Sequence, residues 1–316
     1  MSTRTIIALL CLLSGVPAAF GQAIATTVVE EAALEEQTEQ TAAGRSPRMR
    51  GSDPLRSEVF IAGHALEKDE SFKRWTVVPS FSYSFFNQGR DSWQEEDIQI
   101  FYQVNKQLLL GVEIDLMQRP PSGNDELYSA MASWYPVKYL EVHGKVSFSP
   151  NGFFAPNQIY QGGVEYQLLP RIALLFDFQQ LNFAPGPLWE TSISQVKPGV
   201  SFWITDKSFV TFRYARGWAY GTQTYNYYAG TLNIGDMPGG GRLTMGFAYG
   251  TDPDLDFETM RSSLSNAYIY TLFYTQPLTR DLSIFGGAQY VYRLREKDNS
   301  ELYQQLTPTL GFAWKF

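Results

Sequence analysis

One of the chain's two histidines sits among residue types that can carry out hydrolysis. His143 lies in the run YLEVHGKVSF, with Glu141 two positions before it, and Ser133 lies upstream across the turn-like YPVK. If the flanking runs pair as strands with Trp134 opposite Leu140, Ser133 stands across from Glu141 and diagonal to His143. A hydroxyl, an imidazole and a carboxylate could meet there as a nucleophile with its base. The same geometry argues against acyl transfer, because the sheet ladder consumes the backbone N–H groups that an oxyanion would need. Walker loop, dinucleotide fingerprint, zinc spacing and nucleophile elbow are all lacking, so neither a cofactor nor a metal is expected. His143 is therefore expected to be an inward histidine bonded to Glu141 or Glu165, with a Ser133–His143–Glu141 hydrolase as the less favoured alternative.

Carboxylates form the second constellation. Glu95 and Asp97 lie in WQEEDIQIFYQ, and Glu113 and Asp115 in LLLGVEIDL, with the tight VNK between the two runs. Aligning Tyr102 with Leu108 sets Asp97 opposite Glu113 and Glu95 opposite Asp115. Like charges so opposed destabilise a sheet unless water, a cation or a basic partner relieves them. Lys197 and Arg213 occupy the polar faces of two later runs. In a closed ring those runs face the acidic ones. The expectation is a transverse field across a narrow hydrated lumen, acidic at one wall and basic at the other, able to orient sugars or ions. The alternative is that Lys145 and other nearby bases pair with the acids inside a plugged barrel.

A ring is expected because polar and apolar residues alternate from Arg74 to the end. Trp75, Val77, Pro79, Phe81, Tyr83 and Phe85 oppose Thr76, Ser80, Ser82 and Ser84, while Leu108, Leu110, Val112, Ile114 and Leu116 oppose Gly111, Glu113 and Asp115. This is the period of a strand with two unlike faces. Turn signals such as PPSGND, LLPR, TDKS, GDMPGGG and LTRD divide the region into about 14 strands, with 12 as the alternative. Short turns alternate with longer loops (118–126, 149–158, 183–192, 251–267), and the strands nearly all reach the ~9–11 residues that cross a bilayer. The fold class is thus all-β, a transmembrane antiparallel up-and-down barrel over 74–316. Aromatics gather at both strand ends, Trp75, Trp134, Tyr139, Trp314 and Phe316 at the short turns, and Phe86, Trp93, Phe154, Phe183, Trp189, Trp218 and Tyr220 at the long loops. Two girdles suit the two membrane interfaces. A mean hydropathy of −0.22 is compatible, since half of a barrel's residues face a polar interior. Pro79, Pro198 and Pro308 interrupt strands, where each removes a ladder N–H. Local bulges facing lipid, or a weakened seam between the first and last strands, would accommodate them.

The N-terminus reads as an export signal, with Arg4, an apolar run from Ile6 to Leu13, and Ala19 and Gly21 before a cleavage point at Gln22. Cys11, the one cysteine, lies inside it. Residues 22–73 lack apolar bulk and read as a flexible periplasmic leader; a stretch around Phe60 and His64 that plugs the lumen is the alternative. Removing residues 1–21 takes away Arg4 alone and moves the net charge from −7 to about −8, which disfavours a nucleic-acid partner.

The last strand resembles the C-terminal signal of bacterial outer-membrane barrels, matched by Thr309, Gly311, Trp314 and the terminal Phe316. That resemblance implies recognition by the outer-membrane assembly machinery and a place among the lipids of a Gram-negative outer membrane. The runs NQGRDSW (87–93) and SFSPNGFFAPNQIYQGG (147–163) are similar to those of the YaiO family of outer-membrane barrels. The YaiO resemblance implies a porin-like barrel associated with surface polysaccharide or small polar solutes, and hands over no active-site residues.

Overall fold

A computed structural model describes residues 75–316 except 88–90, 106, 121–122, 138, 151–154, 184–191, 220–222, 257–260 and 296–299. The expected signal peptide and leader, with Phe60 and His64, lie outside the described residues, as do Phe154, Trp189 and Tyr220. Fourteen strands follow one another: β1 (Trp75–Phe86), β2 (Trp93–Asn105), β3 (Leu108–Arg119), β4 (Gly123–Val137), β5 (Leu140–Phe148), β6 (Gln158–Leu169), β7 (Ile172–Asn182), β8 (Ser192–Trp203), β9 (Phe209–Ala219), β10 (Gln223–Met237), β11 (Gly241–Asp256), β12 (Arg261–Pro277), β13 (Leu282–Arg295) and β14 (Glu301–Lys315). Each pairs antiparallel with its neighbour, and β1 closes the ring on β14. The terminal aromatic is part of that closure. Trp75 donates its N–H to the Phe316 carbonyl at 3.1 Å, and Phe316 returns one to Trp75 at 3.0 Å.

Alternation decides which face each side chain takes. Along β3 the apolar Leu110, Val112, Ile114 and Leu116 are exposed on the outer wall, while Glu113 and Asp115 between them are buried inside. An apolar exterior around a polar interior is the reverse of a soluble protein, and it is what a bilayer-spanning barrel needs. Trp75, Trp134, Tyr139, Trp314 and Phe316 are exposed outward at the short-turn end, and Trp218 at the other.

Two expected registers are corrected by the same cause. In β2–β3 the pairs are Tyr102 with Leu110, Asp97 with Asp115, Gln99 with Glu113 and Glu95 with Met117. In β4–β5 Trp134 faces Val142, so that Ser133 stands directly opposite His143 instead of Glu141. Each hairpin has a bulge beside its turn, between Gln103 and Asn105 and between Trp134 and Val137. Asn105 pairs with Leu108, a match that would set outward residues against inward ones all along the hairpin. The extra bulged residue restores the faces. The loops expected at 118–126 and 251–267 are also shorter than read, since β4 begins at Gly123 and β11 pairs β12 as far as Asp256 with Arg261.

The prolines create gaps and no bulges. Register along β1–β14 is constant but pairing is missing at 78–79 against 312–313 and at 83–84 against 307–308, one gap at Pro79 and one at Pro308. In β8–β9 the pairing likewise skips Lys197 and Pro198.

Placing charge on the outer wall tests the inside–outside assignment. Ile114→Arg should lower unfolding stability in lipid vesicles by about 2–4 kcal/mol, the cost of a cation near the bilayer midplane. Urea titration followed by tryptophan fluorescence measures it, and a neutral result would mean that Ile114 does not face lipid.

Candidate functional site

The middle of the lumen carries the charges, and register decides which of them meet. On one wall the cross-strand pair Asp97 and Asp115 has Glu95 and Glu113 as charged neighbours. Lys145 of β5 reaches over β4 to form an ion pair with Glu113. At the upper end Arg119 lies near Glu95, Asp115 and Asp125, its guanidinium 4.5 Å from the centre of the Trp93 ring. The four carboxylates expected on one wall therefore do share it, and Lys145 and Arg119 offset part of their charge. The expected direct pairing of Asp97 with Glu113 does not occur.

On the other wall Lys197 donates a hydrogen bond to the Gln179 Oε1 at 2.8 Å, and Gln195 donates to the same oxygen. Arg213 is bonded to Asp177. Asp177 also meets His143 Nε2 at 3.0 Å, and His143 Nδ1 lies 3.4 Å from Glu141. A chain of side chains, Glu141–His143–Asp177–Arg213, thus spans β5 to β9 around the inner wall. Glycine makes the crossing possible. His143, Gly163 and Asp177 stand in register on three consecutive strands. A Cβ at Gly163 would come within 2.5 Å of His143 Nε2, so only a residue without a side chain lets the flanking pair touch.

Asp177 stands between the outward Phe176 and Phe178, so alternation alone turns it inward, but its partners depend on register. It lies directly opposite Lys197 and two strands away from Arg213, a placement that needs the β7–β8 and β8–β9 registers. The hydrolase arrangement is not assembled. Among the described residues His143 is held by two carboxylates, and no hydrogen bond joins it to Ser133. The expected partner Glu141 is present, while Glu165 faces Glu141 across the β5–β6 ladder.

The wider distribution of charge is lopsided. Among the described inward side chains between the strand ends, the carboxylates of Glu95, Asp97, Glu113, Asp115, Asp125, Glu141, Glu165 and Asp177 all belong to β2–β7. On β8–β13 the inward charges are the cations Lys197, Arg213, Arg242 and Arg293. Between them lie neutral amides, including Gln99, Gln167, Gln289 and Gln305, all buried. One amide atom in each lacks a protein hydrogen-bond partner. Buried polar atoms of that kind are normally satisfied by water. Apolar clusters flank this zone, Val78, Phe101, Leu109 and Phe285 toward the short turns, and Ile193, Ala215, Tyr225 and Tyr227 toward the loops.

The comparisons agree on the fold. No family model matches the chain, and no curated protein does. It is similar to the CymD monoaromatic hydrocarbon channel at 9% identity, with a TM-score of 0.55 covering 90% of this chain and 98% of that one. A TodX deltaS2S3 mutant monoaromatic hydrocarbon channel is 10% identical, with a TM-score of 0.56 over 96% of this chain and 100% of that one. A bacterial polysaccharide outer membrane secretin is 7% identical, with a TM-score of 0.50 over 77% of this chain and 99% of that one. The chain has the closed, porin-like barrel fold of Gram-negative outer-membrane proteins.

If Asp177 organises the basic wall, it should be energetically coupled to Arg213. A double-mutant cycle of Asp177→Asn with Arg213→Gln should show a coupling of about 0.5–3 kcal/mol in urea unfolding. Strict additivity would mean that the two groups do not interact.

Proposed function

We propose that the protein is a narrow outer-membrane pore whose lumen orients polar solutes, with the sugars of surface polysaccharide as the favoured cargo. The observation that carries this reading is the separation of charge among the described inward side chains, acids on β2–β7 and the cations Lys197, Arg213, Arg242 and Arg293 on β8–β13, across amide-lined walls. A lumen meant only to be filled gains nothing from separating its charges, because like charges crowded on one wall repel unless water or counter-charges relieve them. A polar solute that enters this field aligns its dipole with it and exchanges water for the glutamine amides, which both donate and accept. The fold's similarity to proteins described as channels and as a polysaccharide secretin supports the reading. The YaiO resemblance of the 87–93 and 147–163 runs supports the link to surface polysaccharide. Thr309, Gly311, Trp314 and Phe316 would serve as the handle for the assembly machinery during insertion.

A second reading, an assembly or structural accessory with a closed lumen, is favoured by the apolar clusters at both ends of the charged zone. The acceptor Asp125 also draws in the loop after β5 by taking the Ala155 N–H at 2.6 Å.

Planar-bilayer recording separates the two. The pore reading predicts discrete conductance, and Asp97→Asn with Asp115→Asn should shift permeability away from cations, whereas Lys197→Gln should shift it toward them. Absence of conductance in the unmodified chain would leave the closed accessory.

A further inference from the structure

Pairing is interrupted twice along the line where the ring closes. Hydrogen-bonded pairs alternate along β1–β14, and the bonds that join Trp75 with Phe316 and Asn87 to Gln304 show which residues aim at the seam. Those residues are the odd-numbered ones of β1 and the even-numbered ones of β14, so Pro79 and Pro308 both turn their nitrogens to the seam. The Pro79 carbonyl confirms its direction, lying 2.7 Å from where a Cβ on Gly311 would stand. Proline has no N–H, so the pair 79/312 and the pair 83/308 each lose one of two bonds. The ladder stops at both places, leaving three short stretches, 75–77, 80–82 and 85–87. By contrast β12–β13 pairs without a break from Ser265 with Arg295 to Pro277 with Ser283. In a bilayer a carbonyl without a partner costs several kcal/mol, so two such losses on the closing pair are expensive.

Side chains on the inner wall take over part of the work. Ser82 and Thr309 are joined by a 2.8 Å hydroxyl bond, and so are Ser84 and Thr307. Beside the lower gap the inner surface turns apolar, with Val78, Phe101, Phe285 and Ala313 packed together, while Pro79 and Phe312 stand outside it toward lipid.

We propose that β1 and β14 part to form a lateral portal, through which small apolar or single-chain amphiphilic molecules pass from the lumen into the outer membrane. The apolar cluster would receive the hydrocarbon part of such a molecule, and the gap at Pro79 would be its exit. The portal uses the lumen of the preceding section only as an entrance, and it does not depend on which polar solutes travel along the axis.

A reversible lock tests the portal. In a Cys11→Ser background, Ser82→Cys with Thr309→Cys places two thiols across the seam, and Ser201→Cys with Thr211→Cys, whose native hydroxyls are 2.7 Å apart, does the same across β8–β9. Gram-negative cells that produce each variant are exposed to N-phenyl-1-naphthylamine, an apolar dye excluded by the lipopolysaccharide leaflet. Oxidation of the seam pair should reduce dye uptake to that of cells without the protein, and reduction should restore it, while the β8–β9 lock leaves uptake unchanged. Equal uptake with the seam locked and unlocked, equal inhibition by both locks, or no protein-dependent uptake at all overturns the portal. Conductance of the locked protein reports separately on the axial pore. Hydrogen exchange on the unmodified chain needs no variant to fold: amides of β1 and β14 at the seam should exchange faster than those shared by β12 and β13, and equal or slower exchange contradicts the proposal.

Discussion

A backbone in hydrocarbon has no water to bond, so each of its amides must find a partner within the chain. An open sheet would leave two unpaired edges in lipid, and closure of β1 on β14 removes both. The other features follow from that ring. Side chains of each strand must alternate between lipid and lumen, so the apolar half goes out, and every serine, glutamine and charge placed at the other parity is forced inward together. Ile114 and Glu113 are sequence neighbours held in opposite solvents for this reason alone.

Confinement makes the inward charges interact strongly, because low-dielectric walls screen them poorly. The structure responds in two ways. Some charges pair locally, as Lys145 does with Glu113 and Arg213 with Asp177. The described inward charges are also segregated by strand, which leaves a direction to the field across the lumen. Gly163 shows how fine the placement is, since the His143–Asp177 contact exists only because the strand between them carries no side chain at that level.

Much of the fold was legible in the sequence because alternation is a local property. Fourteen strands, the outward girdle of Trp75, Trp134 and Trp314, and the inward placement of Asp97, Glu113, Lys197 and Arg213 all follow from a period of two. What was not legible depends on register. A bulge beside a tight turn, as at Gln103–Asn105, shifts partners by two residues without changing any face, so Ser133 came out opposite Glu141 in the sequence and is opposite His143 in the structure. Contacts that skip a strand compound several registers. That is why Asp177 could be read as inward while its role as the partner of both His143 and Arg213 could not. The extension of β11 and β12 to Asp256 and Arg261 was hidden for a different reason, since TDPDLD (251–256) carries the Asp and Pro of a loop and still pairs.

A hydrated lumen with opposite potentials on its two walls makes one direct demand on chemistry. In a Cys11→Ser background, a thiol at position 97 keeps Glu95, Glu113 and Asp115 as neighbours, and one at position 195 lies on the strand of Lys197. Both are challenged in intact vesicles with membrane-impermeant thiosulfonates, one cationic and one anionic, of similar size. The Asp97→Cys thiol should react faster with the cationic reagent and the Gln195→Cys thiol faster with the anionic one, each preference weakening as salt is raised. The same preference at both positions, or no reaction at either, would contradict a water-filled lumen divided by charge.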